Sequence, residues 1–282
     1  MSKVIGVAGS GIMGSGIAQV AATAGFDVFV YDLSEQSLEN AKLTIEKYLS
    51  RDVEKERLTE NDKLRILKSL TFTTDLTKLK DAYFVIEAVT EKMEIKQQLF
   101  KQLEEICSAD TFFATNTSGI SITGIASVLK RPERFIGIHF FNPVPAMELV
   151  EITRGYHTSD ETFEAAKNLA NDFGKDPIFV KDSPLFVFNR ILLPMINEAI
   201  FVLSEGVASK EDIDKAMLLG AKHPIGPLAL ADVIGLDTLL YVLETLYEET
   251  NDSKYRPATL LKQMVRAGLL GRKTGEGFYK YE

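Results

Sequence analysis

Near its N-terminus the chain carries a short apolar run, Val4-Ile5-Gly6-Val7-Ala8, followed by Gly9, Gly11 and Gly14 at the spacing G-x-G-x-x-G. A helix-compatible stretch, Ser15 to Ala24, comes next, and a second apolar run, Asp27 to Tyr31, stops at Asp32. This order of strand, glycine turn, helix and acid-ended strand admits few folds. Gly9 allows a tight turn, Gly11 lets backbone amides approach a pyrophosphate, and Gly14 lets the helix pack closely on the strand. The pyrophosphate then rests on the positive end of the helix. Ser10, Ile12 and Met13 complete the candidate cofactor contacts of this turn. Asp32 lies 18 residues after Gly14, where a carboxylate accepts from an adenosine ribose 2'-hydroxyl and repels a 2'-phosphate. NAD is therefore expected rather than NADP.

The rest of the composition narrows the class. At 282 residues the chain has room for one large or two ordinary domains. A net charge of -8 argues against nucleic acid and against an anionic membrane surface as partners. No apolar run is long enough to span a bilayer, and Met1-Ser2-Lys3 leads straight into the first strand, so neither signal nor transit peptide is expected. The expectation is a cytoplasmic protein. Cys107, the single cysteine, excludes an intramolecular disulfide; it follows Leu99, Leu103 and Ile106 at helical spacing and reads as a small buried hydrophobe. His139, His157 and His223 show no metal-ligand spacing, so no metal is expected.

Further apolar runs alternate with helical segments: Leu70–Thr74, Tyr83–Ala88, Thr111–Asn116, Arg134–Phe141, Leu149–Arg154 and Ile178–Lys181. Phe84-Val85-Ile86 is continuously apolar, as strands buried on both faces of a parallel sheet are. The pattern predicts a doubly wound, Rossmann-type α/β domain over residues 1–183. Between Asp32 and Leu70 the charged, helix-patterned stretch from Glu39 to Lys68 predicts a projecting helical hairpin. It is either a solvated amphipathic pair or a clamp that sets Lys47, Arg51 or Lys55 against the phosphates of a bulky substrate tail. From 184 to 282 the chain reads as a smaller all-helical domain. Phe186 to Leu203 is apolar nearly all round and so is expected to be buried on more than one side. Such a domain needs a partner surface, and homodimerisation is the expected source.

In open α/β sheets ligands bind outside the carboxyl ends of the strands. Those ends hold Asp32, Glu87 to Lys92, Asn116-Thr117-Ser118, His139, Asn142 and Glu151. Oxidising an alcohol with NAD needs a base for the hydroxyl proton, and histidine is the usual choice. His139 is the candidate; the alternative is a core histidine with satisfied nitrogens. Glu151, twelve residues on, can hold the far imidazole nitrogen and stabilise the imidazolium, or be a surface strand residue. Ser118 can bind the reacting oxygen or be an ordinary turn serine. Asn189, polar within an apolar helix, needs a partner if buried, and a substrate carbonyl is one candidate.

Together these residues resemble the short-chain L-3-hydroxyacyl-CoA dehydrogenases, most closely the bacterial 3-hydroxybutyryl-CoA dehydrogenases. The resemblance runs from Val4 to Tyr281. Its landmarks are the glycine turn with Met13, Asn116-Thr117-Ser118, His139-Phe-Phe-Asn-Pro-Val-Pro145 with Glu151, Asn189-Arg190, His223-Pro-Ile-Gly-Pro-Leu228 with Gly235-Leu-Asp237, and Thr274-Gly-Glu-Gly-Phe-Tyr279. It implies His139 as catalytic base with Glu151 as its charge partner, and Ser118 and Asn189 as the groups holding substrate oxygens. It implies Glu91, Lys96, Asn116, Asn142 and Lys273 at or over the nicotinamide cofactor, with Ser118 also beside it. It also implies a CoA thioester as substrate, with Lys47 and Lys55 of the hairpin as contacts. His157 matches nothing catalytic, and His223 looks structural. Two positions depart from the family's pattern: Gly119 stands where a second serine is usual, and Leu185 where glycine is usual. If the helix containing Asn189 extends back to 185, Leu185 shares its face and borders the acyl pocket; otherwise Leu185 packs near the linker and stiffens it.

The leading expectation is an NAD-dependent enzyme interconverting (S)-3-hydroxybutyryl-CoA and acetoacetyl-CoA. The alternatives are a dehydrogenase of a free hydroxy acid or sugar acid on the same plan, and an NAD-binding protein with no catalysis. The charged hairpin speaks against the first, because a free acid offers it no phosphates. The retained His139, Glu151, Ser118 and Asn189 speak against the second.

Overall fold

The computed structural model describes residues 3–281. It forms two compact units, one up to Phe186 and one from Val187 onward. The domain boundary expected after Ser183 lies three residues before this division.

The first unit is an eight-stranded sheet flanked by helices. Its strands are β1 (Val4–Ala8), β2 (Asp27–Tyr31), β3 (Leu70–Thr73), β4 (Phe84–Glu87), β5 (Phe112–Thr115), β6 (Phe135–Phe140), β7 (Leu149–Arg154) and β8 (Asp176–Lys181). They lie in the order β3-β2-β1-β4-β5-β6-β7-β8. The helices are α1 (Ile12–Thr23), α2 (Glu35–Glu54), α3 (Glu60–Lys68), α4 (Met93–Ile106), α5 (Ile122–Ala126) and α6 (Asp160–Asp172). Strand order reverses at β1, so the crevice beyond the ends of β1 and β4 is the switch point at which doubly wound sheets bind ligands. Two apolar clusters fill the two sides of the sheet. One gathers Ile5, Val7, Phe84 and Ile86 with Ile17 and Ala21 of α1. The other gathers Val85 and Phe113 with Phe100 and Leu103 of α4.

The sheet is mostly parallel, as expected, with one antiparallel pair. β1 to β6 run parallel, but β7 pairs antiparallel with β6, and β8 pairs parallel with β7. The cause is connection length. Only residues 141–148 join β6 to β7, and a parallel crossover needs a dozen residues or more.

The charged stretch after Asp32 is a helical hairpin, α2 and α3. Ser34 caps α2 by accepting from Ser37 N at 3.2 Å, and Thr59 caps α3 by accepting from Asp62 N at 3.1 Å. Leu38, Ala41, Ile45 and Leu49 form a buried stripe at helical spacing. Burying each of the larger three is worth about 1.5–3 kcal/mol. The stripe docks on α1 rather than standing free, so the charged face is left outward on a fixed support.

The second unit is helical: α7 (Phe188–Ser204), α8 (Lys210–Gly220), α9 (Pro227–Ile234), α10 (Leu236–Thr250) and α11 (Thr259–Arg266). Side-chain amides and carboxylates tie it together. Asn197, 2 % exposed, receives Ala258 N at 2.9 Å and donates to Arg256 O at 3.0 Å. Asp214 caps α9 through Leu228 N and Ala229 N. Asp232 accepts from Phe278 N, Tyr279 N and the Tyr281 hydroxyl. Along α7, expected to be buried on more than one side, burial in this chain is partial. Leu193, Ile196, Ala199 and Ile200 are buried, whereas Ile191 is 67 % exposed.

Candidate active site

The glycine turn connects β1 to α1 with the geometry a pyrophosphate requires. Gly9 has φ 107°, and a β-carbon there would sit 2.6 Å from the Ala88 carbonyl oxygen of the neighbouring strand's end. A β-carbon on Gly14 would overlap the Gly9 carbonyl, which is why helix and strand approach so closely. Nothing lies within 4 Å of the position a Gly11 β-carbon would take, so that backbone is open to a ligand. Ser10 and Met13 are inward and Ile12 is 76 % exposed. Asp32 stands at the end of β2, its Oδ2 accepting from Ser10 N at 2.9 Å and Ser10 Oγ at 2.8 Å, and its Oδ1 from Ser34 N at 3.0 Å. The acid thus faces the glycine turn. These residues fit a dinucleotide with an unphosphorylated ribose.

The β6–β7 reversal sets His139 and Glu151 directly opposite one another. His139 Nδ1 lies 2.8 Å from Glu151 Oε2. His139 is 7 % exposed, and Glu151 is fully buried. Against a carboxylate the Nδ1 position carries the proton, which leaves the Nε2 lone pair as the base. A buried carboxylate at this distance stabilises positive charge arriving on the imidazole. This pair can take a proton from an alcohol or return it to a carbonyl oxygen. The Phe141 ring lies 4.4 Å from the imidazole centroid, and the Phe186 ring 6.1 Å. Neither aromatic neighbour carries a polar signal that sequence reading could have used.

Asn116, at the end of β5, accepts from Phe140 N at 2.8 Å through its Oδ1, tying the ends of β5 and β6 together. Ser118 follows in a half-buried loop held by Glu91. Glu91 Oε1 accepts from Thr117 Oγ1 at 2.5 Å and from Ser118 N at 2.9 Å, and approaches Ser118 Oγ at 3.3 Å. Lys96 is 1 % exposed and bridges Glu91 Oε2 at 3.1 Å to Glu87 Oε1 at 2.7 Å. Burial pushes the Glu87 carboxyl up despite Lys96. At Glu91 burial acts the same way, but the Lys96 ammonium and the donors of Thr117 and Ser118 outweigh it and hold that carboxyl low. An anionic Glu91 can therefore fix the Ser118 loop. Lys96 and Glu91 were singled out in the sequence for the cofactor; their observed protein contacts also position Ser118, a link between residues 26 and 27 apart that spacing does not reveal.

Asn142 is exposed and precedes Pro143 through a cis bond. The loop it opens is clasped by Lys175, whose Nζ donates to Val144 O at 2.6 Å and Met147 O at 2.8 Å. Burial lowers the Lys175 pKa. A cavity of about 870 Å³ lies between this loop, α1 and the end of α2, and Arg51, Lys55 and Tyr48 line it. Lys47 is exposed and is not part of that lining. A second cavity of about 830 Å³, beside β3, is lined by Glu35, Glu39 and Glu46. Their carboxylates make it the poorer host for phosphates.

In the second unit Asn189 is half-exposed near the start of α7, so it is not the buried amide of that helix; Asn197 is. Lys273 is ion-paired to Asp237 Oδ1. Leu185 is not helical. Its φ is 59°, and α7 begins only at Phe188. The shared helix face with Asn189 therefore does not exist. Leu185 is instead buried and packed on Gly119, so the two departures from the family's pattern meet. Cys107 is buried at the end of α4, and burial pushes its thiol up to about 11. Among the described residues no helix is long and apolar enough to cross a membrane, and no group of three or more His, Cys, Asp or Glu is disposed to hold a metal ion.

Comparison with known proteins extends these observations. Residues 4–183 match the NAD-binding domain of 3-hydroxyacyl-CoA dehydrogenase, and residues 186–281 match its C-terminal domain. The chain is 52 % identical over 279 residues to the 3-hydroxybutyryl-CoA dehydrogenase of Bradyrhizobium diazoefficiens, covering 99 % of this chain and 95 % of that one. It is 42 % identical to the human mitochondrial hydroxyacyl-coenzyme A dehydrogenase, covering 99 % and 91 %. The crystal structure of (S)-3-hydroxybutyryl-CoA dehydrogenase from Ralstonia eutropha superposes with a TM-score of 0.98 at 51 % identity over the whole of both chains. With both domain models matched in order along nearly its whole length, the chain belongs to the 3-hydroxyacyl-CoA dehydrogenase family, and its cofactor is NAD.

Proposed function

We propose that the protein interconverts (S)-3-hydroxybutyryl-CoA and acetoacetyl-CoA, with His139 as general acid/base. The observation that carries this reading is the His139–Glu151 pair, 2.8 Å apart at opposed positions of two strands, near the carboxyl end of β6, at the same end of the sheet as the glycine turn after β1. Bound NAD supplies the hydride acceptor in one direction and, once reduced, the donor in the other. The chain's own residues handle the proton and the oxygens. In the oxidative direction His139 Nε2 takes the 3-hydroxyl proton while Glu151 stabilises the imidazolium. In reverse, His139 returns that proton to the ketone oxygen. The Ser118 hydroxyl, braced by Glu91, and the Asn189 amide hold the substrate oxygens. Glu91, Lys96, Asn116, Asn142 and Lys273 serve at the cofactor's nicotinamide end, and Asp32 takes the adenosine ribose.

The CoA tail belongs in the cavity lined by Arg51 and Lys55. With Arg57 and Lys175 they outnumber the acids Asp52, Glu148 and Asp172 of the same lining, which suits the tail's phosphates. Lys47 is not in that lining, which makes Lys55 the stronger hairpin contact. The helical unit exposes Ile191, Val207, Leu219 and Tyr241, each more than 60 % accessible. A second copy of the chain covering these side chains makes the homodimer the working form, which sedimentation tests directly. The cytoplasm is the compartment this reading assigns. Loss of absorbance at 340 nm with NADH and acetoacetyl-CoA, run beside free acetoacetate, tests the substrate. Rapid turnover of the thioester alone is expected; equal turnover of the free acid would remove the CoA reading.

A further inference from the structure

Leu185 and Phe186 hold φ of 59° and 56°, in the left-handed region that residues bearing a β-carbon seldom adopt. They are consecutive, and both are buried, at 4 % and 2 % exposure. Backbone of this kind persists only where its surroundings over-determine it, and here each restraint can be traced. Asp182 fastens the segment to the start of α5, accepting from Ile122 N at 3.1 Å, Thr123 N at 2.7 Å and Ser121 Oγ at 2.9 Å. The Phe186 amide donates to Ser183 O at 3.0 Å and closes the turn. Leu185 lies over Gly119, where any β-carbon would overlap its Cδ2. The Phe186 side chain enters the apolar cluster of Ile122, Ile125 and Val180.

That insertion points the Phe186 ring at the imidazole of His139, 6.1 Å away and inclined by 53°. Phe141 lies 4.4 Å from the same ring at 48°, and Glu151 holds Nδ1. The imidazole is thus bounded by a carboxylate and two aromatic rings. Of the two rings Phe186 is the one buried in the core, whereas Phe141 is half-buried at a loop start.

We propose that Phe186 is a positioning residue for His139, and that Leu185 seated on Gly119 is the lock holding Phe186 in its left-handed conformation. The proposal rests on His139 being the acid/base. Proton transfer needs donor and acceptor within about 2.6–3.2 Å, and a displacement of about 1 Å can cost about 100-fold in rate. A residue that fixes the ring therefore acts on kcat without touching substrate. Gly119 and Leu185 form a size-matched pair. A β-carbon at 119 must push Leu185 out, whereas a glycine at 185 both removes the overlap and suits the positive φ.

The test uses the full-length enzyme with acetoacetyl-CoA and NADH. Phe186→Ala is expected to lower kcat by about 10- to 100-fold with KM and the fluorescence-measured NADH affinity within about twofold of wild type. Phe186→Leu, which restores apolar bulk, should recover most of that loss. Gly119→Ala and Leu185→Gly should each lower kcat severalfold, and the double variant should return to near the wild-type value. Melting temperatures measured in parallel show that each variant is folded at the assay temperature. Wild-type kcat in Phe186→Ala, or strict additivity of the Gly119 and Leu185 changes, overturns the proposal. If Phe186→Ala fails to fold, Phe186→Gly, which removes the ring and suits the positive φ, decides on the same kcat-against-KM criterion; if the Gly119 and Leu185 variants fail to fold, the Phe186 variants decide. His139→Gln is run alongside: if it keeps turnover, the acid/base reading itself fails; if it is inactive while Phe186→Ala is normal, only the positioning role does.

Discussion

Replacing Glu151 by glutamine removes a charge and keeps the shape. Glu151 is fully buried, with Oε2 2.8 Å from His139 Nδ1. In the oxidative direction the imidazole starts neutral and becomes cationic as it takes the hydroxyl proton, so the carboxylate's attraction grows along the reaction coordinate. For unit charges about 4 Å apart, which allows for delocalisation over ring and carboxylate, the attraction is about 4 kcal/mol at an effective dielectric of about 20. A neutral amide retains a hydrogen bond worth about 1 kcal/mol, leaving a loss of about 3 kcal/mol, or about 100-fold in kcat. The interaction strengthens only as charge develops, so KM should stay within about threefold. The assay is steady-state turnover in both directions at 340 nm, with NADH affinity measured by fluorescence. A Glu151→Gln enzyme within threefold of wild-type kcat in the oxidative direction would refute the claim that this carboxylate stabilises the imidazolium.

Three further outcomes follow from the same geometry. His139→Gln should cost about 10²- to 10⁴-fold in kcat with NADH affinity nearly intact, and retained turnover would sink the assignment. Asp32→Gly removes the acceptor for the ribose hydroxyl and the repulsion of a 2'-phosphate, so the NADPH-to-NADH ratio of kcat/KM should rise at least tenfold; because Asp32 also holds Ser10, the ratio is the readout rather than the absolute rate. Lys55→Ala should raise KM for acetoacetyl-CoA by about fivefold at low salt, as suits an exposed ion pair of about 1 kcal/mol, and the effect should fade as ionic strength rises.

What was legible in the residues was whatever local spacing encodes. The glycine turn, the acid ending β2 and the apolar runs each correspond to an observed element, because tight turns and doubly buried strands leave marks within a few residues. The hairpin's charged, helix-patterned stretch was legible too, whereas its caps at Ser34 and Thr59 are findings of the structure. Long-range contacts were not. The Glu87–Lys96–Glu91 relay to Ser118 and the Lys175 clasp join segments that spacing cannot relate. The sign of φ at Leu185 also leaves no trace when the residue is not glycine, so an extended helix was the natural and incorrect expectation. Asn189 drew attention as the amide in an apolar helix, although Asn197, eight residues on, is the buried one.

The register of β6 against β7 shows how packing and catalysis depend on the same constraint. Alternate residues of the pair face opposite sides of the sheet. Ile136, Ile138, Phe140, Val150 and Ile152 point to the side of α6 and join its Ala166 and Leu169 in one apolar cluster. His139 and Glu151 lie between them on the other face, opposite one another. Sliding β7 by one residue would turn Glu151 toward that apolar cluster and expose Val150 and Ile152 to the polar side. An ionised carboxylate there, without the imidazole, would carry an uncompensated desolvation penalty of several kcal/mol, in addition to the apolar burial lost. The short 141–148 connection, fastened by Lys175, leaves little slack for such a slip. The hydrophobic alternation that specifies the strand pairing therefore also sets the 2.8 Å contact between acid/base and carboxylate, and the pair needs no further device to find its partner on folding.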